Sequence, residues 1–382
     1  MSPRITIKRL GGGDENNSSD EQEWLDHVTE VFAFKGTPRE YFQRHYYFDP
    51  YRHHPPAALL GLFADGILAS SVRIYARKMN VREGMVVSVA GIGDVSTKKA
   101  YEGRGYAKQL LELALVSSSQ QTALADSVVI GGTSRPPEVI IGLLHTRTAI
   151  PFYRSQGWTS LALKRCLFGF GPLEWAELLD ISASPGSEVR VVDFDSPGLV
   201  SSLASLHTQT TTMLTGPLVR DSLEYWQRWM RAEATSINSR RPVALFIPNG
   251  VTNEASAYAI VNYPAVTSAS PDVDDLQATI GVTVTVKEFC TSGPLAEQNQ
   301  KLRSLLKVFW DLFMASSEAV RGGCAVEVRV LLPFHPSVAT KLFPGKKFQE
   351  CLDEGFMVKG VDRELLDVLT SSEFTFFDCD AF

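Results

Sequence analysis

Two glycines stand directly before a long helical pattern. In STKKAYEGRGYAKQLLELAL, residues 96–115, Gly103 and Gly105 precede a leucine-rich apolar face. Glycine costs entropy in ordered backbone, so a pair at this point needs a physical reason. The first N–H groups of a helix lack intrahelical partners, and glycines let an anion approach them closely. The stretch therefore predicts a phosphate-binding turn, with a plain strand-to-helix turn as the other interpretation.

The turn differs from the common nucleotide motifs. Neither G-x-x-x-x-G-K-[ST] nor G-x-G-x-x-G occurs here, which argues against mononucleotide and dinucleotide sites of those types.

Strands and helices are predicted in a definite order around this turn. Residues 57–64, 67–79 and 85–97 read as a meander of three strands, with an Asp65-Gly66 hairpin turn. The helix after Gly105, a buried strand at 140–145, a short helix ending at Gly157 and a strand at 159–170 follow. We predict an α/β (α+β) fold with a mixed central sheet.

The second half repeats the order without the glycines. Strands are predicted at 243–250, 255–264 and 278–290, followed by a helix at 299–320, a strand, a short helix and a closing strand at 354–362. Where the first half has YEGRGYAKQ, the second has TSGPLAEQNQ. We predict two domains, 1–182 and 190–382, of which only the first has kept its site.

Composition excludes several classes of function. The net charge of −6 argues against a general nucleic-acid binder, and no long apolar run predicts a membrane span or a signal peptide. The five cysteines have no metal-site spacing, so we expect reduced thiols, a cytoplasmic location and no metal.

Two motifs together resemble a known family. Residues 102–107, EGRGYA, and residues 152–158, FYRSQGW, are similar to the Q/R-x-x-G-x-G/A and F-Y-x-x-x-G-F/W signatures of GNAT (Gcn5-related) N-acyltransferases. The match covers roughly residues 57–170. Glu102 departs from the usual Gln or Arg and would repel a pyrophosphate unless it points away. Lys98, Lys99, Arg104 and Lys108 can offset its charge.

The resemblance implies acetyl-CoA as co-substrate. Its pyrophosphate would bind the amides of the glycine turn, and its pantetheine would pair with the open edge of the preceding strand as an added β-strand does. The implied cofactor-binding residues are Val95, Ser96, Thr97, Gly103, Arg104, Gly105, Tyr106, Ala107 and Lys108.

A narrower resemblance concerns the doubled architecture. The chain is similar to the enhanced-intracellular-survival (Eis) acetyltransferases, which carry two GNAT regions and a C-terminal module that is reduced or missing here. Fungal lysine N6-acetyltransferases are the competing relatives. The Eis resemblance implies a homo-oligomer.

Acyl transfer to an amine needs a base for the amine and a weak acid for the leaving thiolate. Tyr153 matches the family's acid, with core packing as its alternative role. A backbone N–H near Val95 or Ser96 would meet the oxyanion. The base is open between the α-carboxylate of Phe382, which has this role in the Eis relatives, and Asp94, with His145 third.

The acceptor of a transferase of this type would be a primary amine. Residues 31–56 hold eight aromatic side chains where GNAT proteins have their acceptor-binding helices, and the acidic chain favours a small cationic or lysine-like amine. A protein or peptide acetyltransferase and a non-catalytic acyl-CoA-binding module are the alternatives.

Overall fold

The computed structural model describes residues 3–11, 19–81, 84–126, 140–180, 188–234, 242–250, 254–268, 280–316, 326–371 and 374–377. Two compact units divide the chain. Unit 1 contains Met1–Ala162 and Glu354–Ser372, and unit 2 contains Leu163–Asp353 and Glu373–Ala381. The boundary predicted near residues 182–190 places residues 163–182 in the first domain and residues 354–372 in the second. In the structure, residues 163–182 belong to unit 2 and residues 354–372 belong to unit 1.

The sheet of unit 1 is mixed. Its strands β1 (Ile5–Leu10), β2 (Ala58–Ala64), β3 (Ile67–Val81) and β4 (Met85–Thr97) form an antiparallel run. Strand β5 (Ile140–His145) pairs parallel to β4, and residues 356–359 of β12 (Phe348–Lys359) pair antiparallel to β5. The predicted hairpin joins β2 to β3, where Asp65 and Gly66 have φ of 51° and 83°, as a two-residue turn of the primed type requires.

Helices cover both faces of this sheet. On one face lie α1 (Ser19–Phe32) and α2 (Arg39–Tyr47), whose buried side chains Trp24, Val28 and Phe42 pack on Leu59 and Phe63. On the other face lie α3 (Tyr106–Asp126) and α4 (Ile150–Ser155), and α10 (Arg363–Ser371) ends the unit. Side chains alternate along β3, so Val72 and Ile74 pack in the α3 layer and Arg73, between them, faces the α1–α2 layer.

Unit 2 repeats this order of strands. Its sheet contains β7 (Arg190–Val191), β8 (Val243–Pro248), β9 (Ala255–Ser268) and β10 (Ile280–Thr291) in an antiparallel run, β11 (Val326–Leu332) parallel to β10, and residues 166–170 of β6 (Thr159–Phe170) antiparallel to β11. Its helices are α5 (Pro172–Leu179), α6 (Pro197–Thr211), a π-helical segment (Tyr225–Met230) leading into α7 (Arg231–Ala234), α8 (Leu295–Ser316) and α9 (Pro336–Leu342).

Each unit is completed by a strand from the other half of the sequence. The sequence predicts that residues 354–362 close the second half, but β12 pairs with β5 in unit 1, and the C-terminal part of β6 pairs with β11 in unit 2. Local hydrophobic patterning identifies a strand without identifying its partner, because the partner is fixed by long-range pairing. The predicted fold class and the second, similar half are confirmed.

No helix among the residues that the structure describes is long and apolar enough to cross a lipid bilayer.

Candidate active site

The glycine turn leads directly into α3. Gly103 and Gly105 have φ of 74° and 77°, and a Cβ built on either would meet no atom within 4 Å. The amide of Gln109 donates to the carbonyl of Gly105 at 3.1 Å, so the helical hydrogen bonds begin there. The preceding N–H groups of the first turn have no intrahelical acceptor, and the first turn contains no acidic side chain. The turn therefore has the free amides and the open space that an anion requires.

Strand β4 parts from β5 shortly before this turn. Their parallel pairing runs from Ser88 opposite Ile140 to Ile92 opposite Leu144. Residues 93–97 continue beyond it and stay paired only on their other edge, to β3, among the residues described. An opening between the two strands results, and Val95, Ser96 and Thr97 lie along it.

A bulge in β4 sits at this opening. Asp94 has φ of 49° and, with Val95, forms the register shift opposite Val72. Burial raises the pKa of the Asp94 carboxyl, although Arg73 counteracts the shift. The Tyr75 hydroxyl lies 3.4 Å from Asp94 Oδ2, and Arg73 Nη1 lies 4.0 Å from the same oxygen.

Tyr153 lies in α4 within the α3 layer of the core. It is 7% exposed and packs edge-on against Trp158, with ring centroids 6.1 Å apart. Burial raises the pKa of its phenol to about 12. The hydroxyl therefore stays protonated at neutral pH, the state that a proton donor needs. The structure also supports the alternative role of core packing, because Tyr153 belongs to the hydrophobic cluster under α3.

Charged residues around the turn are partly engaged elsewhere. The Arg104 guanidinium donates to the carbonyl of Ala100 at 3.3 Å and lies over the ring of Tyr101. Lys98 pairs with Glu30 at 2.9 Å, so its charge is partly offset. Lys108 lies 3.9 Å from Glu112 one helical turn on. Glu102 is exposed, as is Lys99.

The other two candidates for the general base are Phe382 and His145, and the structure describes only His145. Phe382 lies outside the described residues. His145 ends β5 and is half-buried, with its ring stacked on Phe356 at a centroid distance of 4.4 Å.

His27 is a polar residue of this region that the sequence did not indicate. It is 2% exposed in α1, and its Nε2 lies 2.9 Å from Oγ of Ser96 in β4. Ser96 Oγ also lies 2.8 Å from Ser71 Oγ. Burial, with a smaller contribution from Lys98, lowers the pKa of His27 to about 4, so the ring is neutral at pH 7.

A buried charge network lies beside Asp94 on the α1–α2 face. Asp49 accepts from Arg73 Nη2 at 3.1 Å and from Arg77 Nη1 at 2.9 Å, and all three side chains are at most 3% exposed. Arg73, Tyr75 and Arg77 alternate along β3, so they share one face. Polar side chains at every second position of an otherwise apolar strand were the feature of the sequence that could have indicated this network.

The aromatic stretch at residues 31–56 divides into core and surface. Phe42 and Tyr46 are buried in the α1–α2 layer, while Phe34 and Phe48 are exposed.

The corresponding turn in unit 2 is filled by its own side chains. A Cβ built on Gly293 would lie 2.7 Å from Oε2 of Glu297 in the first turn of α8. Lys301 Nζ donates to the carbonyl of Ser292 at 2.8 Å. A carboxylate here repels an anion, whereas the turn at Gly103 and Gly105 is open.

Comparison with known proteins agrees with this geometry. Residues 14–126 match the family model described as an acetyltransferase (GNAT) domain. No curated protein sequence matches the chain.

Solved structures with the same fold include two that are named for acyl transfer, and Eis1. A probable N-acyltransferase from Enterococcus faecalis V583 has a TM-score of 0.60 at 15% identity, covering 93% of this chain and 72% of that one. A GCN5-related N-acetyltransferase from Anabaena variabilis has 0.59 at 15% identity, covering 94% and 73%. Eis1 from Mycobacterium abscessus has 0.54 at 13% identity, covering 93% and 73%.

At these identities the likeness to solved structures shows the fold alone, and the family model matches residues 14–126. The resemblance predicted from EGRGYA and FYRSQGW is confirmed. Residues 14–126, which lie in unit 1, match the GNAT acetyltransferase domain, and this match supports an acyltransferase.

Proposed function

We propose that unit 1 transfers an acetyl group from acetyl-CoA to the primary amine of a small cationic or lysine-like acceptor. The observation that carries the proposal is the pair of left-handed glycines with open space, placed directly before α3 and after the opening of β4. Amides that lack acceptors at a helix start favour a bound diphosphate.

The glycine turn and the end of β4 would bind different parts of acetyl-CoA. The amides of residues 103–108 would bind the pyrophosphate, with Arg104 and Lys108 adding positive charge. Val95, Ser96 and Thr97 would pair with the pantetheine amides along the open edge. Binding of the pyrophosphate and the pantetheine would then hold the thioester close to the bulge at Asp94.

Three groups supply the chemistry. Asp94 takes a proton from the ammonium of the acceptor, and its raised pKa makes it a stronger base than an exposed aspartate. The free amine attacks the thioester carbonyl, and an N–H of Val95 or Ser96 donates to the oxyanion. The nitrogen of the tetrahedral intermediate loses its extra proton to solvent, the carbon–sulfur bond breaks, and Tyr153 donates its proton to the departing thiolate.

The test is thiol release from acetyl-CoA by the full chain with a panel of amines: free lysine, polyamines, aminoglycosides and lysine-containing peptides. The proposal predicts thiol release and an acetylated product with a small amine. Release with peptides alone would instead indicate a protein acetyltransferase. Tight acetyl-CoA binding without release for any amine would indicate a non-catalytic binding module.

A further inference from the structure

A basic cavity of about 400 Å³ lies in unit 1 on the α1–α2 side of β3. Its charged lining consists of Arg9, Arg52 and Arg73, with His53 and Tyr46 beside them. The described residues that line it include no aspartate or glutamate. The local charge is therefore opposite in sign to the net charge of the chain.

The deepest arginine is incompletely satisfied. Arg73 is 2% exposed, and its Nη2 donates to the carbonyl of His45 at 2.7 Å and to Asp49. Its Nη1 is buried without a hydrogen-bond partner and lies 4.0 Å from Oδ2 of Asp94. A buried guanidinium N–H without an acceptor is costly, and an anion would remove that cost.

The nearby acids have partners of their own, and Asp94 lies 4.0 Å from Arg73. Asp49 is shared between Arg73 and Arg77. Glu21 accepts from the Tyr46 hydroxyl at 2.8 Å. The three arginines of the lining, with no acid among the described residues that line the cavity, make its wall positive, and planar guanidinium groups match a carboxylate in geometry.

The cavity is close to the proposed acyl-transfer point. Arg73 lies opposite Gly93 in β4, and Val95 and Ser96 are two and three residues further along. At the rise of an extended strand this separation is about 7–10 Å. A single small molecule can therefore reach both places.

We infer that this cavity binds a carboxylate of the acceptor, so that the preferred substrate carries an amine at one end and a carboxylate at the other. The inference rests on the proposed function of unit 1. The buried Arg73 and the Arg52 of the cavity wall would both bind this carboxylate. The Arg52 guanidinium carbon lies 5.6 Å from the centroid of the Tyr46 ring.

The experiment compares two acceptors of equal length, ε-aminocaproate and its neutral amide, ε-aminocaproamide. The wild-type chain should acetylate the carboxylate with at least about tenfold higher kcat/KM. Arg52→Gln should reduce that preference to about threefold or less, through a higher KM for the carboxylate acceptor. Arg329→Gln, an exposed arginine of unit 2, serves as the matched control and should keep the full preference.

Equal use of the two acceptors by the wild-type chain, or an equal loss for both in Arg52→Gln, would overturn the inference and leave the proposed function standing. If no amine releases thiol, calorimetry with caproate still decides it. Caproate should bind the wild-type chain and bind Arg52→Gln at least about tenfold more weakly. Absence of caproate binding would overturn the inference in that case.

Discussion

Nε2 of His27 lies 2.9 Å from Oγ of Ser96, which joins helix α1 to the strand that ends at the glycine turn. Both residues are buried, and Ser96 lies along the opening between β4 and β5. A neutral imidazole at this point connects the proposed acceptor side of unit 1 to the backbone that would meet the thioester.

This contact predicts a pH-dependent stability. The folded pKa of His27 is lowered from 6.5 to about 4, so the unfolded chain binds the extra proton. The stabilisation is full above the unfolded pKa and is lost as the pH falls toward the folded pKa. Between about pH 7.5 and about pH 5 the loss is about 2 kcal/mol. Urea unfolding at both values should show that His27→Gln loses less stability than the wild-type chain by this amount. Equal losses of stability in His27→Gln and in the wild-type chain would contradict the lowered pKa of His27. His54→Gln, an exposed control, should lose as much stability as the wild-type chain.

Gly105→Ala should impair both folding and acetyl-CoA binding. An alanine at a left-handed φ costs about 1–2 kcal/mol, and its methyl group would occupy the space proposed for phosphate. Calorimetry should show at least about tenfold weaker acetyl-CoA binding. Gly66→Ala is the matched control, since Gly66 is also left-handed with open space around it. It should lose similar stability and keep its affinity; the same loss of affinity in both variants would argue against a specific phosphate site.

Tyr153→Phe should lower kcat by about a hundredfold and leave the acetyl-CoA dissociation constant within about threefold, because only the proton donor is removed. The folded core should tolerate the change, since the ring keeps its packing against Trp158. Steady-state kinetics and calorimetry measure the two quantities. Tyr225→Phe, a buried tyrosine of unit 2, is the control and should keep full activity. An unchanged kcat in Tyr153→Phe would restrict Tyr153 to core packing.

Two variants separate the candidates for the general base. Asp94→Asn should lower kcat by about a hundredfold or more, while asparagine tolerates the left-handed backbone at this position. Deleting Phe382 should leave kcat within about threefold. The opposite pattern in single-turnover thiol release would assign the base to the C-terminal carboxylate.

Local sequence predicted the elements and the turn, because their causes are local. The Asp65-Gly66 hairpin and the left-handed Gly103 and Gly105 follow from the backbone freedom of a few residues. The buried pairs could not be predicted in this way. His27 and Ser96 are 69 residues apart, and Arg73 and Asp49 are 24 apart, so their contact depends on the packing of α1 and α2 on the sheet.

The charge of the proposed acceptor site could not be predicted from the composition of the chain. Net charge predicted a site for cations, yet the cavity beside Arg73 is basic, because topology gathers three arginines from β1, β3 and the segment after α2. Charge averaged over the chain does not indicate the charge of one face.

Calorimetric titration of the full chain with acetyl-CoA tests the central claim most directly. One molecule should bind per chain, because the turn before α3 is open and Glu297 fills its counterpart before α8. The dissociation constant should lie in the micromolar range, at about 1–100 μM, and should rise in Gly105→Ala. No binding, or binding that is unchanged in Gly105→Ala, would contradict a phosphate site at the glycine turn.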